Sequence, residues 1–201
     1  MDEKIREYII NANPMQWIEY SEELRDSSEL IWQESKKITV HNNFPKRQDK
    51  PGLSRTYFLN IGFSIENLIK GLLISENSDY IKDGKISPKI SSGHDLENLA
   101  LKIESLNFDN KELEFLKILG KALPNWSRYP IPKRWEIINK EELIDEKIRE
   151  KFLKIWDKIG FKIYELTRDG WNGPNEVKLG PWRSSCFEGT LEFEFPNFEK
   201  K

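Results

Sequence analysis

Glu66 and Lys70 stand one helical turn apart in an apolar stretch that runs from Thr56 to Leu73, at the spacing where opposite charges on a helix meet. Gly93-His94-Asp95 follows, and further on Arg128-Tyr129-Pro130 leads into Lys133, Arg134 and Trp135. These residue types suit one kind of chemistry. An imidazole shuttles protons near neutral pH, a guanidinium grips phosphate through paired hydrogen bonds, and rings beside cations stack on a base. His94 and Arg128 are therefore the candidate catalytic pair, and Arg128, Tyr129, Lys133, Arg134 and His94 the candidate nucleotide- or RNA-binding set. Each has a plainer reading beside it. His94 and Asp95 fit a helix cap that locks a loop onto the fold, Glu66 and Lys70 fit a partly buried ion pair, and Arg128 fits a buttress between prolines.

Other chemistries find little support. No glycine-rich phosphate loop follows a strand, no carboxylate and histidine set has metal-ligand spacing, and no serine or cysteine has a nucleophile context. Neither metal nor cofactor is expected. The single cysteine, Cys186, forms no intrachain disulfide, in agreement with a reducing compartment. Charged and polar residues interrupt every apolar run before the ~20 residues a bilayer requires, and Met1-Asp2-Glu3 opens no secretory pattern. The reading is a cytoplasmic protein with no membrane partner. A net charge of −2 gives no global pull on nucleic acid, so any such attraction is local. Residues 36–55 supply one patch, with Lys36, Lys37, Lys46, Arg47, Lys50 and Arg55 set against Asp49 alone.

The elements that must position these groups are mainly helices. Asn13 as N-cap, Pro14 at the first helical position and Gln16 reaching back predict a helix start, and Trp17, Tyr20, Leu24, Ser28, Ile31 and Ile38 mark its predicted inner face. Residues 39–54 read as a long loop. Tyr57, Ile61, Ile65, Leu68 and Leu72, widened by Phe58, Ile69 and Leu73, predict a central helix with little polar circumference. Asp83-Gly84 predicts a hairpin insert near 80–87. Ser92 and Asp95 then predict a capping box for a helix that continues through Leu106, and Asp109 with Glu112 predicts another that Pro124 closes. Residues 139–142 read as the cap of the most regular helix, along Ile144, Ile148, Phe152, Ile155, Ile159, Ile163 and Leu166. Gly170 ends it. Alternation of Trp182, Ser184 and Cys186, then Leu191, Phe193 and Phe195, predicts a C-terminal β-hairpin about Glu188-Gly189. The expected fold is all-α in the main, an up-and-down bundle of four to five helices over residues 1–170. An aromatic-rich extension, 171–201, packs on the bundle or on a partner.

Three segments in order carry a resemblance: Ser64-Ile65-Glu66-Asn67-Leu68-Ile69-Lys70-Gly71, Gly93-His94-Asp95-Leu96-Glu97-Asn98-Leu99 and Ser127-Arg128-Tyr129-Pro130. Together, over residues 14–168, they resemble the HEPN family (higher eukaryotes and prokaryotes nucleotide-binding domains), in its branch associated with bacterial nucleotidyltransferase partners. The resemblance implies a helical bundle, frequently a homodimer, that binds a nucleotide or RNA, with a place in a bacterial toxin–antitoxin or defence system. Ribonuclease members carry an arginine followed after four to six residues by a histidine. Here the only histidines are His41 and His94, and neither stands in that relation to an arginine. The expectation is accordingly binding without the usual ribonuclease motif. Two alternatives stand beside it: a non-catalytic interaction or scaffold module that meets a protein partner through its aromatic tail, and a metal-independent ribonuclease with a relocated histidine.

Overall fold

Helix α3 (Ser54–Glu76) is the axis of the fold in the computed structural model, which describes residues 2–42, 48–125, 127–128 and 143–187. Around it lie α1 (Glu3–Asn11), α2 (Pro14–Ser35), the short α4 (Pro88–Ser91) and α5 (Leu96–Ala100), α6 (Asn110–Ala122) and α7 (Glu146–Thr167). Tyr57, Phe58, Ile61, Ile65, Leu68, Ile69 and Leu72 of α3 have no exposed surface, so nearly every apolar position of the sequence stripe is core. By length and composition α3 could cross a membrane, yet most of it is buried inside this fold.

Contacts along the helices give their directions. Trp17 and Ser21 of α2 meet Gly71 and Ser64 of α3, so α2 and α3 are antiparallel. Leu123, just past the end of α6, sits over Gly62, and Ile163 of α7 reaches Gly71. Glu112 near the start of α6 pairs with Lys158 of α7 at 2.7 Å. The four long helices thus run up and down in sequence order, as the mainly α expectation has it.

A buried polar junction binds three of them. Ser21 Oγ and Ser64 Oγ lie 2.9 Å apart, each within 3.0 Å of the other's backbone carbonyl oxygen, while the Trp156 indole N–H donates to Ser21 Oγ at 2.8 Å. One consistent assignment sends each hydroxyl proton to the opposing carbonyl and leaves the Ser21 lone pairs for the indole. Nearer the other end of α2, Glu29 receives a forked pair of contacts from Arg149 of α7, the shortest 2.6 Å, and Arg149 reaches Glu146 as well.

Several local expectations change. A short helix, α1, precedes Pro14, capped by Asp2, whose carboxylate accepts the Lys4 amide. Asn13 caps α2 through the Met15 and Gln16 amides, but the Gln16 side chain turns to Glu19 instead of reaching back. The inner face of α2 is Ile18, Ser21, Ser28, Trp32 and Ser35, and Tyr20 is exposed. Three serines seven residues apart form a narrow seam, and that small-residue period outweighs the aromatic one as α3 comes close. The expected loop at 39–54 contains an antiparallel pair, β1 (Thr39–Asn42) and β2 (Gln48–Pro51), with His41 opposite Asp49. Ser78–Ile81 form a 3-10 helix in place of the first strand of the expected insert. The Asp83-Gly84 turn does form, both residues at positive φ, with the Lys85 amide donating to the Lys82 carbonyl at 3.3 Å and the Ser87 amide to the Tyr80 carbonyl at 2.7 Å. Helix α5 ends at Ala100 instead of running to Leu106; the Glu76 carboxylate accepts the Glu104 and Ser105 amides and turns the chain. Asp145, not a residue of 139–142, caps α7. Of those four, 139–142 lie outside the described residues, and Leu166 at the far end of the predicted stripe is exposed.

Past α7, β3 (Trp171–Asn172) pairs antiparallel with β4 (Lys178–Leu179). The expected C-terminal hairpin lies outside the described residues from 188 onward, and residues 182–187 form no strand. Phe187 stacks on Trp156 and Tyr164, over Gly160, where an added Cβ would come within 2.5 Å of its ring. Trp182 donates to the Thr167 hydroxyl at 3.2 Å and meets Tyr164 edge-on. The described part of the aromatic extension therefore covers this chain's own α7.

Candidate functional site

Glu66 brings the two sequence motifs together. Its side chain, only 7% exposed, places Oε1 2.5 Å from Lys70 Nζ and Oε2 2.8 Å from His94 Nδ1. A turn of helix sets the first contact. The second depends on how the 93–95 loop meets α6. Gly93 has φ +86°, a conformation that favours glycine, and delivers His94 to the start of α5. Gly120 of α6 packs directly beneath, where an added Cβ would stand 2.7 Å from the His94 carbonyl oxygen and 3.0 Å from the Leu96 amide. The imidazole also meets the Phe63 ring edge-on, centroids 5.9 Å apart.

This arrangement fixes the chemistry of the ring. An ionised carboxylate only accepts, so Nδ1 carries a hydrogen and donates to Glu66. Nε2 has no hydrogen bond to another described residue. Held this way, the imidazole is ready to accept a proton at Nε2 when neutral or to donate from it when charged. Glu66 thus serves both as a partner to Lys70 and as the residue that orients His94.

His94 lines a groove of about 390 Å³ between the start of α5 and the end of α6, with Asp95, Glu97, Lys117, Lys121 and Asn125 on its walls. Asp95 is the N-cap of α5: its carboxylate accepts the Asn98 amide at 3.1 Å and the Asn98 side-chain amide at 2.6 Å. Ser92, expected to share that cap, instead donates to the Pro88 carbonyl and ends α4. Lys117 pairs with Glu97 at 3.1 Å, whereas Lys121 forms no ion pair among the described residues. The Arg128 amide donates to the Asn125 carbonyl at 3.1 Å, so the exposed Arg128 follows directly from the wall of this groove. Tyr129, Lys133 and Arg134 lie outside the described residues.

Of the sequence candidates, Glu66, Lys70 and His94 form one cluster. Asp95 adjoins it as a cap, and Arg128 enters the same neighbourhood through its backbone. Sequence reasoning missed Lys117, Gly120 and Lys121. The signal was present: two lysines one turn apart on the polar side of α6, and a glycine within its apolar stripe. Among the described residues, no three His, Cys, Asp or Glu side chains gather to hold a metal ion. No family model, curated protein or solved structure matches the chain.

Proposed function

We propose that the chain binds RNA or a nucleotide in the groove between α5 and α6, with phosphate beside His94, Lys121 and Arg128. The carrying observation is the Glu66–His94 contact at 2.8 Å, which fixes an imidazole at a groove that also presents Lys121, a cation with no ion pair among the described residues. Cations on a groove wall draw phosphate through charge, and an oriented imidazole adds a directional donor. The ordered resemblance to HEPN domains supports the same ligand class. Binding of labelled single-stranded RNA and of nucleotides to the intact protein tests the reading. His94→Ala, Lys121→Ala and Arg128→Ala are each expected to weaken affinity while the helical circular dichroism is retained. Unchanged affinity in all three folded variants would refute it.

The same contact favours one second reading, metal-independent RNA cleavage. A neutral His94 would take the proton of a ribose 2′-hydroxyl at Nε2 as that oxygen attacks the adjacent phosphorus. The P–O5′ bond then breaks to leave a 2′,3′-cyclic phosphate, and water supplies the proton to the departing 5′-oxygen. Cleavage in the presence of a chelator, lost in His94→Ala while binding persists, distinguishes this from binding alone.

A further inference from the structure

A second groove of about 340 Å³ is formed by α1, α2, α3 and the loop at Ile86. Its size is at the small end of ligand pockets, about 300–1,000 Å³. Three aromatic rings, Tyr8, Trp17 and Tyr20, line it together with three carboxamides, Asn11, Gln16 and Asn67, and no charged side chain among the described residues does. One wall is fixed before any ligand arrives: the Trp17 indole N–H donates to the Ala12 carbonyl at 3.1 Å. Gly71 lets Trp17 lie close on α3, since an added Cβ there would stand 2.9 Å from the Trp17 Cβ. The Asn67 amide nitrogen donates to the Phe63 carbonyl at 2.7 Å, and its oxygen accepts no hydrogen bond among the described residues.

Flat rings suit a planar ligand, and neutral amides that donate and accept suit one with hydrogen-bonding edges. A purely apolar ligand would leave those amides unmatched. We infer that this groove is a nucleobase site, in which the base stacks on the Tyr and Trp rings and its edge is read by Asn67 and Gln16. The inference rests on the proposed RNA or nucleotide binding for its biological setting, but not for its chemistry. Asn67, on the wall of this groove, is the residue after Glu66, which holds His94.

The test uses two probes on the full chain: the uncharged nucleosides adenosine and uridine, and labelled single-stranded RNA. Amide and indole resonances of residues lining the groove are expected to shift on adding nucleoside. Tyr20→Ala, at a half-exposed position that the core does not need, is expected to weaken both probes about tenfold, as for loss of one stacking ring. Asn67→Ala is expected to reduce discrimination between the two bases. Lys121→Ala should weaken RNA and leave nucleoside binding unchanged. If nucleosides shift no groove resonance up to their solubility, or Tyr20→Ala leaves RNA affinity intact while Lys121→Ala lowers it, the base site is overturned and the phosphate groove stands. Nucleoside binding lost in Tyr20→Ala, with RNA affinity indifferent to Lys121→Ala, Arg128→Ala and His94→Ala, supports the base site and refutes the phosphate groove.

Discussion

Glu66 Oε2 accepts from His94 Nδ1 at 2.8 Å while its other oxygen holds Lys70, so one buried carboxylate joins the central helix to the α5 loop. Removing the carboxylate leaves a nearly buried ammonium without its partner and frees the imidazole. Glu66→Gln is expected to destabilise the fold, and Glu66→Gln with Lys70→Met to recover part of that loss. A coupling energy of about 0.5–3 kcal/mol between the two positions is the expected size for groups in direct contact. Urea unfolding of the two single variants and the double variant measures it; strictly additive losses would show that the contact is energetically idle. In the folded Glu66→Gln protein the His94 ring resonances should also broaden or split as the ring loses its anchor.

Gly120 is where the site depends on packing instead of charge. A methyl group there collides with backbone, the His94 carbonyl oxygen at 2.7 Å, and backbone cannot rotate aside as a side-chain tip can. Gly120→Ala is expected to cost about 1–3 kcal/mol by overpacking and to displace His94 from Glu66, lowering RNA affinity as well. Gly180→Ala, with nothing within 4 Å of the added atom, serves as the neutral control. Equal melting temperatures for the two variants would contradict this account.

What the sequence made legible follows from local rules. The α3 stripe, the Asn13 cap and the Asp109–Glu112 capping box are each determined by residues within a turn or two, and all three form. Less legible was the inner face of α2. Trp17 packs on the core and Ser28 is buried as read, but choosing Tyr20 over Ser21 follows hydrophobicity, whereas close approach of α3 selects small side chains. The strand pair at 39–51 was hidden because proline and asparagine punctuate it, and Gly52, whose amide reaches Ile38 at 2.7 Å, closes it tertiarily. At the site, Glu66–Lys70 was readable because it lies within one helix. Glu66–His94 was not, since it joins residues 28 positions apart and depends on Gly93 and Gly120 to bring the loop in.

The Ser21–Ser64 junction makes an unequal prediction for two similar residues. Ser21 Oγ serves both the Trp156 indole and Ser64, whereas Ser64 Oγ serves α2 alone. Ser21→Ala strands a buried indole N–H and is expected to cost about 1–3 kcal/mol; Ser64→Ala, which strands no N–H, is expected to cost less. The double variant should fall short of the sum. Chemical denaturation gives all three values, and a larger loss for Ser64→Ala would reverse the assignment of the indole bond.

Acid should weaken the start of α6 through Asp109. Amide hydrogen bonds from Glu112 hold its carboxyl below the ordinary range, with a further contribution from Lys111. A carboxyl whose value is depressed in the folded protein contributes stability above the unfolded value, about 3.9, and loses it as pH falls through the depressed folded value. Asp109→Asn keeps an acceptor for the amides but does not titrate. The wild type is therefore expected to melt higher than Asp109→Asn at neutral pH, with the gap narrowing only below about pH 4. Because Asp109 is exposed and its charge reaches solvent, the gap should also shrink with added salt. Thermal melts of both proteins across that acid range, at low and high salt, measure it. A gap that stays constant into strong acid would assign the cap to geometry alone, with no contribution from the charge.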